Sequence, residues 1–172
     1  MLAPGRPARR TAITFRSVNR PGRPGYDPSL QRHHLLPRQL LSQRCFRALF
    51  DCLARERAIF DDFRVNGLLL PADEQATVRT GMPLHRGPHR RYNEVVIARV
   101  GQIERDWARR RGREPEVALA EALMRLELLQ SALRRHILAQ RSRILLNRKD
   151  PLGTGFDFSE LDAMAEALWT AR

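Results

Sequence analysis

The chain is almost without lysine. Of its 31 basic residues, 30 are arginine and only Lys149 is lysine, among 172 residues in all. Arginine's forked donors suit phosphate clamping, yet GC-rich codon usage explains the bias equally well, so it selects no function by itself. Cysteine is scarce too. Cys45 and Cys52 lie seven apart in what reads as one helix, about two turns from each other and too far to bridge, so both are expected as reduced core residues. No apolar run approaches the roughly 18 residues of a membrane span, and the start has no apolar stretch before a small-residue cleavage site. A membrane partner and a standard export signal are therefore not expected. Acidic residues are also few, 19 in number, which leaves a formal charge of +12. Such a field attracts polyanions, and nucleic acid is the first partner to consider. With 42% hydrophobic and 29% charged residues, wholesale disorder is excluded.

Periodicity predicts a mostly helical α+β chain with one compact irregular and strand-like insert at 32–87. Residues 1–32 carry five of the eleven prolines and seven arginines against the single acid Asp27, and read as an extended basic arm. Weak strand character spans Thr11 to Val18. From Leu40 to Phe60 the positions Leu41, Cys45, Phe46, Leu49, Phe50, Leu53 and Ile59 step by helical intervals. Asn66-Gly67 before Leu68-Leu69-Leu70 signals a tight turn leading into a strand. A helix opening at Pro88 carries Tyr92, Val96, Val100, Ile103 and Trp107 and closes at Gly112. Another starts at Pro115, with Val117, Ala120, Leu123, Met124, Leu128, Leu133 and Ile137 as its apolar face and an end as far as Leu146. A last short helix is predicted from Ser159 to Thr170.

The five histidines are distributed unevenly. Four form two clusters, His33-His34 and His85-Arg86-Gly87-Pro88-His89, while His136 sits alone among leucines as a structural residue. Imidazole is the commonest transition-metal ligand, and side chains four apart at a helix start share a face, so His85 and His89 can grip one ion. A helix beginning at Pro88 would instead leave His85 to reach that ion from the loop. One imidazole of the other pair would complete a three-nitrogen site with open positions, freeing its neighbour to act as a base. Spacing does not say which, because adjacent side chains in an extended segment face opposite ways. Asp61, Asp62, Asp73 and Glu94 offer a weaker, carboxylate-based alternative.

The succession His33-His34, Asn66-Gly67 with Leu70-Pro71, and His85-x-Gly87-x-His89-x-x-Tyr92 resembles the AHH group of the HNH and endonuclease VII superfamily over about residues 30–107. Arg32 stands where that family usually has alanine. The resemblance implies a ββα-metal finger embedded among several amphipathic helices. His33, His85 and His89 are then metal ligands, His34 is the general base, and Asn66 holds the base-bearing segment. One divalent ion is implied, Mg2+, Mn2+, Ni2+ or Zn2+.

The expected function is a metal-dependent HNH-type endonuclease that hydrolyses nucleic acid phosphodiesters, DNA in preference to RNA and with little sequence specificity. Arg32, Arg38, Arg86, Arg90 and Arg91 are the expected phosphate contacts. The competing reading is a non-catalytic, metal-stabilised nucleic-acid-binding or interaction protein; a spare base beside the ligands favours cutting. Domains of this kind recur as bacterial toxin modules, which implies an acidic inhibitor or immunity protein. Such a chain would be cytoplasmic or delivered into a target cell without a standard signal peptide. The expected organisation is a basic arm at 1–31, a nuclease core at 32–107 and a helical extension at 108–172.

Overall fold

The computed structural model describes residues 11–54, 58–87, 89–139, 146–147, 150–151 and 163. Pro88, the C-terminal reach of the third long helix and the short helix expected at 159–170 fall outside those residues, apart from Ala163 within a helix. The strands β1 (Leu30–His34) and β2 (Gly67–Pro71) pair antiparallel, with His33 opposite Leu68 and His34 opposite Gly67. Between them the chain runs through α1 (Arg47–Cys52), α2 (Ala58–Asp61) and α3 (Phe63–Asn66). After β2 come α4 (Glu74–Thr80) and the two long helices α5 (Arg90–Arg110) and α6 (Pro115–Leu138). The molecule is thus mostly helical around a two-stranded sheet. No helix of the described residues is long and apolar enough to cross a membrane.

Helix α5 follows its sequence pattern. Tyr92, Val96, Val100, Ile103 and Trp107 are all buried. It ends at the Arg111 cap, and Pro115 opens α6 at a position where a missing N–H costs nothing. The two helices pack on each other, and Asp106 and Arg125 form an ion pair at 2.8 Å in the buried seam. On α6 the buried stripe is Ala118, Ala122, Leu126, Leu129, Leu133 and Ile137. Val117, Met124 and Leu128, expected inside, are exposed. The helix is apolar on more than one face, so periodicity alone could not choose its phase; packing against α5 does.

The helix expected over Leu40–Phe60 is broken. Residues Arg38–Ser42 and Arg44–Phe46 form two 3-10 turns separated by extended backbone at Gln43, and α1 stops at Leu53. On a straight helix Leu40 and Phe46 would point about 120° apart. The break at Gln43 lets both enter the core. The same rotation turns Leu41, Cys45 and Cys52 outward, so the two free cysteines are exposed surface thiols and not core residues.

Asn66-Gly67 does lead into a strand, but out of a helical turn. Asn66 ends α3 and Gly67, with φ −117°, begins β2. Glycine is required there for space: a Cβ would sit inside the Phe63 ring. In the Thr11–Val18 stretch the strand character amounts to a single bridge, Thr14 to Asp62, followed by a 3-10 turn at Phe15–Ser17.

Candidate metal centre and active site

Strand alternation separates the two adjacent histidines. His33 points to the buried side, 4% exposed, while His34 is half-buried on the other side. The His33 ring meets Tyr92 on α5 edge-on, and the Tyr92 hydroxyl donates to the Leu35 carbonyl at 2.7 Å, tying helix to strand. Burial pushes the Tyr92 phenol up, so it stays a neutral donor.

His85 and His89 reach His33 from the other side. Both precede α5, whose first residue is Arg90, so the argument from one helical face does not hold. The loop does the work. The His85 amide donates to the Pro71 carbonyl at the end of β2, and Gly87 adopts φ +81°, a left-handed bend that brings the His85 and His89 rings to 4.3 Å. His85 lies 4.9 Å and His89 5.7 Å from the His33 ring. One ligand atom from each of the three falls within 4.8 Å of the others, a spacing that fits a single ion, and this is the grouping of its kind among the described residues.

Ring partners orient two of these imidazoles. The Nδ1 of His89 is 3.0 Å from the Leu146 carbonyl and that of His85 is 3.3 Å from Gln31 Oε1. An oxygen of this type can only accept, so each Nδ1 carries a proton, and in the neutral form of the ring the lone pair is on Nε2. His33 Nε2 is buried with no hydrogen-bond partner among the described residues, the orphaned donor atom that an ion would satisfy. Burial first, and then the neighbouring imidazoles, hold His33 well below the usual histidine range and pull His85 to about 4. Both are neutral near pH 7, the form that binds metal.

His34, next to His33 in β1 and facing the other way, has its Nε2 also buried and without a hydrogen-bond partner among the described residues. Burial and the charges of Arg38 and Arg32 lower its affinity for protons, against an opposing contribution from Asp61. Its ring is stacked on Phe15. Asn66, wholly buried, accepts from the Leu36 amide at 2.7 Å and donates to the Leu36 and Phe60 carbonyls, while its own carbonyl accepts from the Leu35 amide. The two residues that follow His34 are therefore clamped to it.

Arg32, Arg38, Arg86, Arg90 and Arg91 are all exposed. Arg32 donates to the Phe15 carbonyl and Arg38 pairs with Asp61 at 3.6 Å. The carboxylates that offered an alternative metal site have other tasks: Asp62 caps α3 and Asp73 caps α4. His136 is buried in α6.

Three contributors were not anticipated. Phe15 comes from the basic arm and had no periodic pattern to mark it. Gln130 and Arg134 lie on α6. Gln130 Nε2 donates to Asn66 Oδ1 at 3.0 Å and to the Ile59 carbonyl at 2.7 Å, and Arg134 donates to the carbonyls of Arg64 and Gly67. A glutamine within the buried stripe was the available signal, hidden by the misjudged phase of α6.

An antiparallel strand pair feeding a long helix, with three imidazoles converging where they meet, defines a ββα finger. The chain belongs to AHH, a nuclease family of the HNH/ENDO VII superfamily with conserved AHH, whose model matches residues 14–131. That span extends beyond residues 30–107 at both ends, taking in Phe15 and Gln130. The arginine at position 32 departs from the alanine of the family's name, and its side chain is exposed on the surface. No curated protein and no solved structure matches the chain.

Proposed function

We propose that the chain is a metal-dependent endonuclease that hydrolyses DNA with little sequence preference. The observation that carries this reading is the convergence of ligand atoms of His33, His85 and His89 within 4.8 Å, with the imidazole of the next residue, His34, free of hydrogen bonds at Nε2 among the described residues. A purely structural metal site has no use for that fourth imidazole. His33, His85 and His89 would hold the ion, which when bound supplies Lewis-acid stabilisation of charge on the phosphoryl oxygens and the departing 3′ oxygen.

His34 takes a proton from a water molecule, and the hydroxide oxygen attacks phosphorus opposite the 3′ oxygen. The bond from phosphorus to the 3′ oxygen breaks and that oxygen takes a proton from solvent, leaving 5′-phosphate and 3′-hydroxyl ends. Asn66 keeps the base-bearing segment in register through Leu35 and Leu36. The exposed arginines contact flanking phosphates, which fixes position without reading sequence and makes binding salt-sensitive. The +12 charge further suits an acidic inhibitor protein and a role as a toxin effector.

Plasmid nicking with Mg2+, Mn2+, Ni2+ or Zn2+, with EDTA and His34→Ala as controls, tests the proposal. Wild type is expected to convert supercoiled plasmid to open circles, and His34→Ala to lose at least about 100-fold in rate, the low end of general-base catalysis. DNA that is bound but left intact with every metal overturns it. The toxin reading predicts that expression without an inhibitor poisons a bacterial host; harmless high-level expression of active enzyme sinks it.

A further inference from the structure

A cleft of about 320 Å³ opens between α1 and α2, next to the site but using none of its histidines. Leu41, Phe50 and Phe60 form its apolar walls, and the two phenyl rings meet edge to face at 5.1 Å. Arg38, Arg47 and Asp61 lie at its polar side, joined by Asp51. The cleft adjoins His34: Arg38 follows it by four residues, and the charges of Arg38 and Asp61 both act on its imidazole.

We propose that this cleft receives one unpaired nucleobase of the strand being cut, adjacent to the scissile phosphate. The inference rests on the nuclease reading and names a substrate feature for it. The lining excludes simpler occupants. Two aspartates offset two arginines, so the lining carries no net positive charge and the cleft is not an anion trap. Apolar walls with polar groups at the margin match a flat, π-faced ligand with a hydrogen-bonding edge, because any base can stack on an aromatic wall. The volume lies at the small end of the roughly 300–1,000 Å³ range of ligand sites, room for a single base. Carboxylates accept from exocyclic amino groups, so Asp51 favours cytosine over thymine. The substrate is then single-stranded DNA, or duplex from which one base has been unstacked.

Titration of deoxycytidine 5′-monophosphate into 15N-labelled protein tests this directly. The amide signals of Leu41, Phe50 and Asp51 are expected to shift, with thymidine 5′-monophosphate binding about fivefold or more weakly, the low end for one base contact. Inorganic phosphate is expected to leave them unmoved. Equal shifts with phosphate alone would show an arginine anion site, and unmoved signals with either nucleotide would show no base site; both overturn the proposal. Leu41→Trp, at an exposed position, is expected to fill the mouth and abolish the response at unchanged Tm, and Asp51→Ala to erase the preference for cytosine; variants that bind as wild type does count against it. Hydrolysis of bis(4-nitrophenyl) phosphate, a diester without a nucleobase, separately reports on the nuclease reading. Failure there removes the nuclease while the titration still decides the cleft.

Discussion

The ring of Phe15 lies flat on the imidazole of His34, with centroids 3.8 Å apart and planes within 2° of parallel. Phe15 is itself held from three directions: its carbonyl accepts from Arg32 Nη1, its edge meets Phe63 at 5.0 Å, and the preceding Thr14 bridges to Asp62. A half-buried imidazole with one face covered by a fixed ring can neither tilt nor exchange rotamers freely, so Phe15 positions the proposed base. Phe15→Ala should lower kcat by about 10-fold or more with KM little changed, since small displacements of a catalytic group cost that much. Phe15→Tyr should retain activity and Phe15→Leu should not, although both keep the site covered. Single-turnover cleavage alongside Tm measurement checks this, and equal rates for the tyrosine and leucine variants would reduce the ring to a space filler.

Gln130 connects α6 to the proposed active site through Asn66. It is 2% exposed, and its carboxamide N–H groups satisfy Asn66 Oδ1 and the Ile59 carbonyl. Glutamate has the same shape but places oxygen against those two acceptors. Gln130→Glu should therefore destabilise the fold by about 2 kcal/mol or more, the cost of buried groups left unpaired. Cleavage should fall as well, because Asn66 is released from one of its anchors. Urea denaturation and nicking assays read the two effects, and an unchanged midpoint would show that the contact contributes nothing.

What sequence made legible follows a physical division. Long-range periodicity over the five buried apolar positions of α5 is redundant, so its face was readable from Tyr92 to Trp107. The two histidine clusters were readable because their chemistry is rare and concentrated. The segment from Leu40 to Phe60 was not, because short helices are decided by packing and not by propensity, and the break at Gln43 has no local signature. Asn66-Gly67 does mark the start of β2, but what requires glycine at 67 is the Phe63 ring, a contact with no trace in the dipeptide. The Phe15 stack and the Gln130 contact join residues 19 and 64 positions apart, beyond any pattern that spacing can carry.

Acid should destabilise the metal-free protein through its histidines. His85 titrates at about 4 when folded against roughly 6.5 when unfolded, and His33 is displaced in the same direction. Between those values the unfolded chain binds more protons, so stability is fully present above about pH 6.5 and is lost as the pH falls toward 4. In EDTA, Tm should drop by roughly 5 °C or more between pH 7.5 and 4.5, and His85→Gln should show a shallower slope. Added Zn2+ should raise Tm at pH 7.5 and far less at pH 4.5, since ligand protons must leave first. A flat profile, or one rising toward acid, would contradict the desolvation of these rings.

The ion pair in the seam between α5 and α6 should behave as a unit. Asp106 and Arg125 are each less than a tenth exposed and meet at 2.8 Å, and Asp106 also contacts Arg109 one turn along. Removing Asp106 leaves Arg125, which also contacts Glu121 at 3.8 Å, with less compensation in a poorly solvated seam, a loss that exceeds what the pair contributes over an apolar replacement. Asp106→Ala should cost about 3 kcal/mol. Asp106→Leu combined with Arg125→Met should cost markedly less than the two single changes added together, because the double variant strands no charge. A double-mutant cycle by chemical denaturation measures that difference. Strict additivity would mean that the two side chains are solvated independently, and would leave the cohesion of the α5 and α6 pair to its apolar stripe and the Arg110–Glu121 contact.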